Sequence, residues 1–137
     1  MAEIYLSEYF PFIRRYSSFA EILSDRGLAS LGDAYVNLIY SLVLSKVTGK
    51  PIGRKLDNRV LSLALRKAGI RMLLPSRTDR HRQADAAEAL IAYGWLSGTV
   101  STKEILDIFL REGDISDSIC IILKLIWERG KNILERK

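Results

Sequence analysis

The sequence is poor in the residues from which disulfides and zinc sites are built. Cys120 and His81 are its only cysteine and its only histidine. One cysteine excludes an intramolecular disulfide, and this pair excludes a zinc site made of several His and Cys ligands. We expect no apolar run to span a bilayer, and no signal peptide precedes the first predicted helix. The expectation is a cytoplasmic protein with no membrane partner.

The sequence also lacks an alternating β pattern, an internal repeat, a glycine-rich phosphate loop and a low-complexity segment. Apolar residues recur at helical spacing instead, and 137 residues suffice for one hydrophobic core. We predict a single all-α domain over residues 1–137, with about seven helices. The predicted helices cover 3–15, 18–23, 25–47, 59–67, a segment ending near 96, then 101–111 and a last segment from 116.

Positive charge is concentrated in the middle of the chain. Eleven Lys or Arg and two Asp lie between Lys46 and Arg82, a local balance of +9, whereas the rest of the chain carries −4. So basic a segment favours a polyanionic partner such as a nucleic acid. Charge alone leaves a second interpretation open, in which these side chains are solvated helix faces and a basic turn.

A long predicted helix includes Leu28 and continues to about Val47. Its apolar residues recur at steps of three and four, which predicts one stripe facing the core. The stripe consists of Leu28, Leu31, Tyr35, Leu38 and Leu42. Gly32 and Asp33 interrupt this pattern, since glycine costs about 1 kcal/mol inside a helix and an unpaired buried carboxylate costs more. We expect another backbone to approach closely at Gly32 and a cation to lie beside Asp33.

A second acidic motif lies within residues 84–93, where alanines surround Asp85 and Glu88. Two carboxylates three residues apart share one face of a helix, and small neighbours allow another helix to pack closely. If this helix crosses the first one at Gly32, Asp33 converges with Asp85 and Glu88. Converging carboxylates repel one another unless a hard divalent cation lies between them, and oxygen ligands favour Mg²⁺ or Mn²⁺.

Together the two motifs resemble the catalytic domain of the ribonuclease III family. The first is Leu-Gly-Asp-Ala-x-x-Asn-Leu, and Asp-Ala-x-Glu-Ala-Leu-Ile follows about fifty residues later. The resemblance covers residues 28–98, and the order and spacing of the two motifs make it specific. It implies the helical endonuclease fold in a compact form similar to the Mini-III branch, because too few residues follow Gly98 for a double-stranded RNA-binding domain.

The resemblance implies a Mg²⁺-dependent endoribonuclease that hydrolyses phosphodiester bonds of double-stranded or structured RNA in RNA processing. It implies that Asp33, Asp85 and Glu88 are the catalytic metal ligands, with Mn²⁺ as an alternative ion. It also implies a homodimer formed through the first motif. Asn37, one turn after Asp33, is expected either to hold a water at the metal or to serve helix packing alone.

The basic segment 76–82 leads directly into the second acidic motif, where phosphates of a bound RNA would lie. We expect contacts with the RNA backbone from Arg54, Lys55, Arg77, Arg80 and Arg82. His81, in the same segment, is expected to be a phosphate contact or a plain surface residue.

Two positions depart from the family pattern. Ala29 stands where the family usually has a glutamate, and Ser30 where it has an aromatic residue that helps dimerisation. Other residues, such as Tyr35 and the N-terminal aromatics, would then supply the dimer contact. The Mini-III branch also carries Ala-x-x-Gly-Asp, so this pattern is compatible with an active enzyme.

Three other interpretations remain open from the sequence. A catalytically weak or inactive ribonuclease III-like module, RNA-binding or ribosome-associated, is favoured by Ala29 and opposed by the three intact carboxylates. A different all-α metal phosphohydrolase would need a paired-glutamate helix motif that the sequence lacks. An ordinary helical protein would pair the carboxylates with Arg59 or Arg82.

Overall fold

The computed structural model of the chain describes residues 6–134, which form an all-α fold without strands. Short 3₁₀ helices lie at Leu6–Glu8, Pro11–Arg15 and Arg71–Leu73. The six α-helices are α1 (Phe19–Ser24), α2 (Arg26–Thr48), α3 (Asn58–Lys67), α4 (Arg80–Leu96), α5 (Thr102–Glu112) and α6 (Ile115–Leu134). All six were predicted from the sequence, which confirms the all-α fold class.

Polar side chains set where the helices that carry the acidic motifs begin. Asp25 Oδ1 accepts a hydrogen bond of 2.9 Å from the backbone N–H of Leu28 at the start of α2. Asp79 does the same for Arg82, also at 2.9 Å, at the start of α4. Each bond satisfies a backbone donor that has no partner inside the helix. The two caps therefore fix where each acidic residue falls along its helix.

The predicted helix over residues 3–15 is wrong in the described part of the chain. Two separate 3₁₀ helices replace it, and the second begins at Pro11. Proline has no backbone N–H and its ring obstructs the preceding turn, so a continuous α-helix through Pro11 is not stable. The predicted residues 3–5 lie outside the described residues.

α4 is the central helix, and it packs against α1, α2, α3 and α6. From Ala86 to Gly94 every residue is buried. The alanines of this run keep the helix narrow enough for neighbours on several sides. At its far end Gly94 leaves room for Ile126 of α6, whose Cδ1 would lie 2.5 Å from a Cβ at position 94.

The apolar stripe predicted on α2 does not form one continuous core face. Leu28 and Tyr35 are buried, but Leu31, Leu38 and Leu42 are 49%, 56% and 41% exposed. Ala29, Gly32, Val36, Ile39 and Val43 complete the buried face. α2 is apolar over much of its circumference, so periodicity alone does not identify the covered side.

Tyr35 belongs to the core, which excludes it as the expected dimer contact. Its ring stacks on Trp95 with 4.1 Å between centroids and an interplanar angle of 16°. Its hydroxyl is 2.7 Å from the hydroxyl of Thr102, at the start of α5. Burial raises the pKa of the Tyr35 hydroxyl, although the Thr102 contact opposes this. Tyr35 therefore joins α2, α4 and α5 within one chain.

Among the described helices, α2 is long and apolar enough, by length and composition, to cross a membrane. The expectation that no segment meets this criterion is therefore wrong. Core helices of globular proteins also meet it, and α2 packs against α4 and α5.

Candidate metal and RNA site

α2 and α4 touch backbone to backbone at Gly32. A Cβ atom built on Gly32 would lie 1.9 Å from the carbonyl oxygen of Glu88, where no carbon atom fits. The missing side chain at Gly32 therefore permits the short distance between the two helices. The predicted close approach at Gly32 is confirmed, and it brings the two acidic motifs together.

An open cleft of about 370 Å³ lies at this crossing, and we call it the acidic cleft. It is lined by Arg26, Ala29, Ser30, Asp33, Lys55, Asn58, Arg82, Asp85 and Glu88. The fold thus gathers all three predicted metal ligands into one cleft. Two of the five predicted RNA contacts, Lys55 and Arg82, line the same cleft.

Glu88 is the deeply buried member of the three carboxylates, with 3% of its surface exposed. Its Oε2 is fully buried and has no hydrogen-bond partner among the described residues. Burial is the main reason that the pKa of Glu88 is raised to about 9. Hydrogen bonding to Asp33 and the negative charges of Asp33 and Asp85 raise this pKa further, whereas the positive charge of Lys55 lowers it. A buried carboxyl with an unsatisfied oxygen is costly, which favours a cation or a proton at this point.

Asp33 is held in place by Asn37, one turn later on α2. Asn37 Nδ2 donates a hydrogen bond of 3.1 Å to Asp33 Oδ1. Asn37 Oδ1 accepts one of 2.8 Å from the backbone N–H of Leu56. Asn37 therefore connects the acidic motif to the loop that follows α2, and its side chain has a more specific contact than helix packing alone.

The same loop carries Lys55 to the cleft. On one side of Lys55, the backbone N–H of Arg54 donates to Ser41 Oγ at 2.9 Å. On the other side, the N–H of Leu56 is bound by Asn37. Two side chains of α2 thus fix the backbone on both sides of Lys55, which places this lysine on the lining of the acidic cleft.

The remaining predicted RNA contacts lie outside the cleft. Arg54, Arg77 and Arg80 are exposed, and none of them is among the described residues that line it. His81 is likewise an exposed residue in the first turn of α4. These side chains remain available to a ligand that extends beyond the cleft.

Sequence analysis missed Arg26, Ser30 and Asn58 as lining residues of the acidic cleft. Arg26 is three residues before Ala29, and residues three apart share a helix face. That spacing could have identified Arg26. Asn58 had no comparable signal, because its place depends on how the loop before α3 folds back onto α2.

The carboxylates are not explained by ordinary ion pairs. Arg59 pairs with Asp57, at 2.9 Å, and not with a carboxylate of the cleft. In the part of the chain that the structure describes, no salt bridge joins Asp33, Asp85 or Glu88 to any Lys or Arg. The interpretation in which Arg59 or Arg82 pairs with these carboxylates is therefore wrong.

The carboxylate oxygens of the cleft are suitable ligands for a hard divalent cation, although they do not converge on one point as they would around a bound ion. Within residues 6–134, no group of three or more His, Cys, Asp or Glu has the arrangement of a metal site. Asp85 lies at an exposed position, whereas Glu88 is buried, and this burial raises the pKa of Glu88. Oxygen-only donors with one orphaned buried oxygen are suited to Mg²⁺ or Mn²⁺.

Comparison with known proteins places most of the chain within one family. A family model described as Ribonuclease III matches residues 26–122, which is more than half of the chain. The match begins at the first residue of α2 and includes all three cleft carboxylates. No curated protein matches the chain significantly.

Proposed function

The chain belongs to the ribonuclease III family, and on this premise we propose that it is a Mg²⁺-dependent endonuclease acting on double-stranded or structured RNA. The observation that carries the proposal is the acidic cleft, where Asp33, Asp85 and Glu88 line one opening together with Lys55 and Arg82. A metal-dependent phosphodiesterase needs carboxylates to hold the metal ion and cationic side chains to hold the negatively charged phosphate of the substrate.

Asp33, Asp85 and Glu88 would hold the Mg²⁺, with Mn²⁺ as an alternative. A bound ion supplies a Lewis acid that lowers the pKa of a water molecule and stabilises charge developing on the phosphate. Asn37 keeps the Asp33 carboxylate oriented through the 3.1 Å hydrogen bond. Glu88 must release its proton before it can bind a cation, so metal affinity should increase with pH.

The lysine and arginine side chains in and around the cleft would hold the RNA backbone. Lys55 lines the cleft, where it can orient the phosphate that is cleaved, and Arg82 lines it too, where it can contact a neighbouring phosphate. Arg54, Arg77 and Arg80 lie exposed outside it and would contact phosphates farther along the duplex. Contacts of this kind fix register and orientation but carry little sequence information, because the A-form major groove is too narrow for side chains.

We also propose a homodimer formed through the exposed apolar side of α2. Leu31, Leu38 and Leu42 lie on this side. Leu31 also borders an apolar groove whose other walls include Phe10, Phe12 and Trp95. A contiguous apolar surface of this kind marks an association site more often than a free surface. The expected occupant is the same surface of a second copy.

The nuclease assignment is tested by removing charge from the carboxylates without changing their size. Asp33→Asn and Glu88→Gln should lower Mg²⁺-dependent cleavage of a long RNA duplex by orders of magnitude, with the fold and duplex binding retained. Asp107→Asn is the matched control, since Asp107 is exposed on α5 and pairs with Lys103 away from the cleft. It should cleave like the wild type.

A specific observation favours one alternative, a catalytically weak or inactive RNA-binding or ribosome-associated module. Ala29 lines the acidic cleft but supplies no carboxylate, where the family usually has one. If the wild-type chain binds duplex RNA but cleaves none in Mg²⁺ or Mn²⁺ at enzyme excess, this alternative replaces the nuclease. Cleavage that depends on Asp33 and Glu88 would exclude it.

A further inference from the structure

The acidic cleft adjoins a second cavity, which we call the side pocket. The two share Arg26, Ala29, Arg82 and Asp85. The side pocket continues from this junction toward the end of α1 and the loop before α4, where Leu23 and Leu74 are among its walls. The junction therefore lies where the cleft of the three carboxylates meets a second, more apolar space.

Two arginines that line this junction have no ion-pair partner among the described residues. Arg26, in the first turn of α2, and Arg82, in the first turn of α4, are both exposed. Among the hydrogen bonds and salt bridges of the described residues, none involves either guanidinium; both arginines take part only through backbone atoms. The other two residues that line the junction are Ala29, whose side chain is a methyl group, and Asp85. The donors of two arginines thus remain available to a ligand.

The carboxylate nearest to Arg26 in sequence does not compete for it. Asp25 Oδ1 accepts from the N–H of Leu28, and Asp25 Oδ2 accepts from the hydroxyl of Tyr16 at 2.6 Å. Both oxygens of this side pocket residue are therefore already engaged. Ala29 contributes only a methyl group to the junction, so it adds no polar group that would compete for either arginine.

We infer that Arg26 and Arg82 form a phosphate-binding subsite at this junction. Guanidinium groups bind phosphate oxygens through paired hydrogen bonds, and two of them at the mouth of a cleft match a phosphodiester. The occupant is an internal backbone phosphate of the RNA strand that lies in the acidic cleft, next to the phosphate that is cleaved. This inference rests on the proposed function, and it makes Arg26 a positioning residue for the substrate.

Metal-free binding tests the subsite separately from catalysis. Anisotropy titrations of a short RNA duplex with 5′-hydroxyl ends, in EDTA and over a series of salt concentrations, measure affinity and its salt dependence. Arg26→Gln and Arg82→Gln should each weaken binding by roughly threefold to tenfold and reduce the slope of log affinity against log salt by about 1. Arg26→Lys should restore the slope, because it keeps the charge, but should restore the affinity only in part.

Arg111→Gln is the matched control, since Arg111 is an exposed arginine of α5 that pairs with Glu112 outside both cavities. It should leave the salt slope unchanged. Slopes that are unchanged in both Arg26→Gln and Arg82→Gln would overturn the subsite. An effect seen only with 5′-phosphorylated duplexes would overturn the assignment to an internal phosphate, because the subsite would then hold a terminal one.

The two proposals fail in distinguishable ways. If the slopes change as expected but the wild type cleaves no RNA, the subsite stands and the nuclease proposal falls. If the wild type cleaves RNA but the slopes do not respond to Arg26 or Arg82, the nuclease stands and the subsite falls.

Discussion

Gly32→Ala is the sharpest test of the helix crossing on which the site depends. The added Cβ would lie 1.9 Å from the carbonyl oxygen of Glu88 and 2.4 Å from its carbonyl carbon. Ordinary contact begins at 3.4 Å, so the two backbones must separate by about 1.5 Å. Neither backbone can move aside as a flexible side chain would, so α2 and α4 have to shift as units.

The expected change in stability has two opposing parts. Overpacking costs about 1–3 kcal/mol, and a backbone obstacle places this substitution at or above the upper end. Replacing glycine by alanine inside a helix returns about 1 kcal/mol. The free energy of unfolding should therefore fall by at least about 2 kcal/mol, which lowers the urea midpoint by about 1 M for a domain of this size.

Urea unfolding followed by circular dichroism measures this change, and Gly27→Ala is its matched control on the same helix. A Cβ at Gly27 meets only the Asp25 side chain, at 3.4 Å. That variant should be as stable as the wild type or up to about 1 kcal/mol more stable. A Gly32→Ala variant that unfolds at the wild-type urea concentration would refute the close crossing and the site built on it.

Three further outcomes are expected. The pKa of Glu88 is raised in the folded chain to about 9, so its contribution to the free energy of unfolding is complete below its unfolded pKa and is lost as pH rises toward 9. Without metal, the urea stability of Glu88→Gln relative to the wild type should therefore increase between about pH 5 and 9. A stability difference that is equal at all pH values would contradict this. Leu38→Glu should give a monomer by light scattering, because it charges the 56% exposed leucine of the apolar α2 side, whereas Leu110→Glu on α5 should not. Affinity for duplex RNA should fall steeply between about 50 and 200 mM salt, and an unchanged affinity would exclude phosphate-dominated binding.

The helices and the two motifs could be predicted from the sequence for local reasons. Apolar spacing and capping residues such as Asp25 and Ser101 act within a few residues of the chain, so they indicate where helices begin and end. Gly32 inside an apolar helix predicted a close backbone approach, because few other causes place glycine there. The family resemblance to the ribonuclease III domain followed from the same residues, and it is confirmed.

Tertiary packing alone decided which surfaces are covered and how the carboxylates differ. Helical periodicity determines which residues share a face, but on α2, where apolar residues lie on several faces, only the positions of α4 and α5 bury Tyr35 and leave Leu38 exposed. Asp85 and Glu88 are equally acidic in the sequence, yet the crossing at Gly32 buries Glu88 and leaves Asp85 in solvent. The pKa of a buried carboxyl depends on all the groups packed around it, including residues distant in the chain. The local sequence therefore determines where a carboxylate stands, and the packed helices determine how readily it ionises.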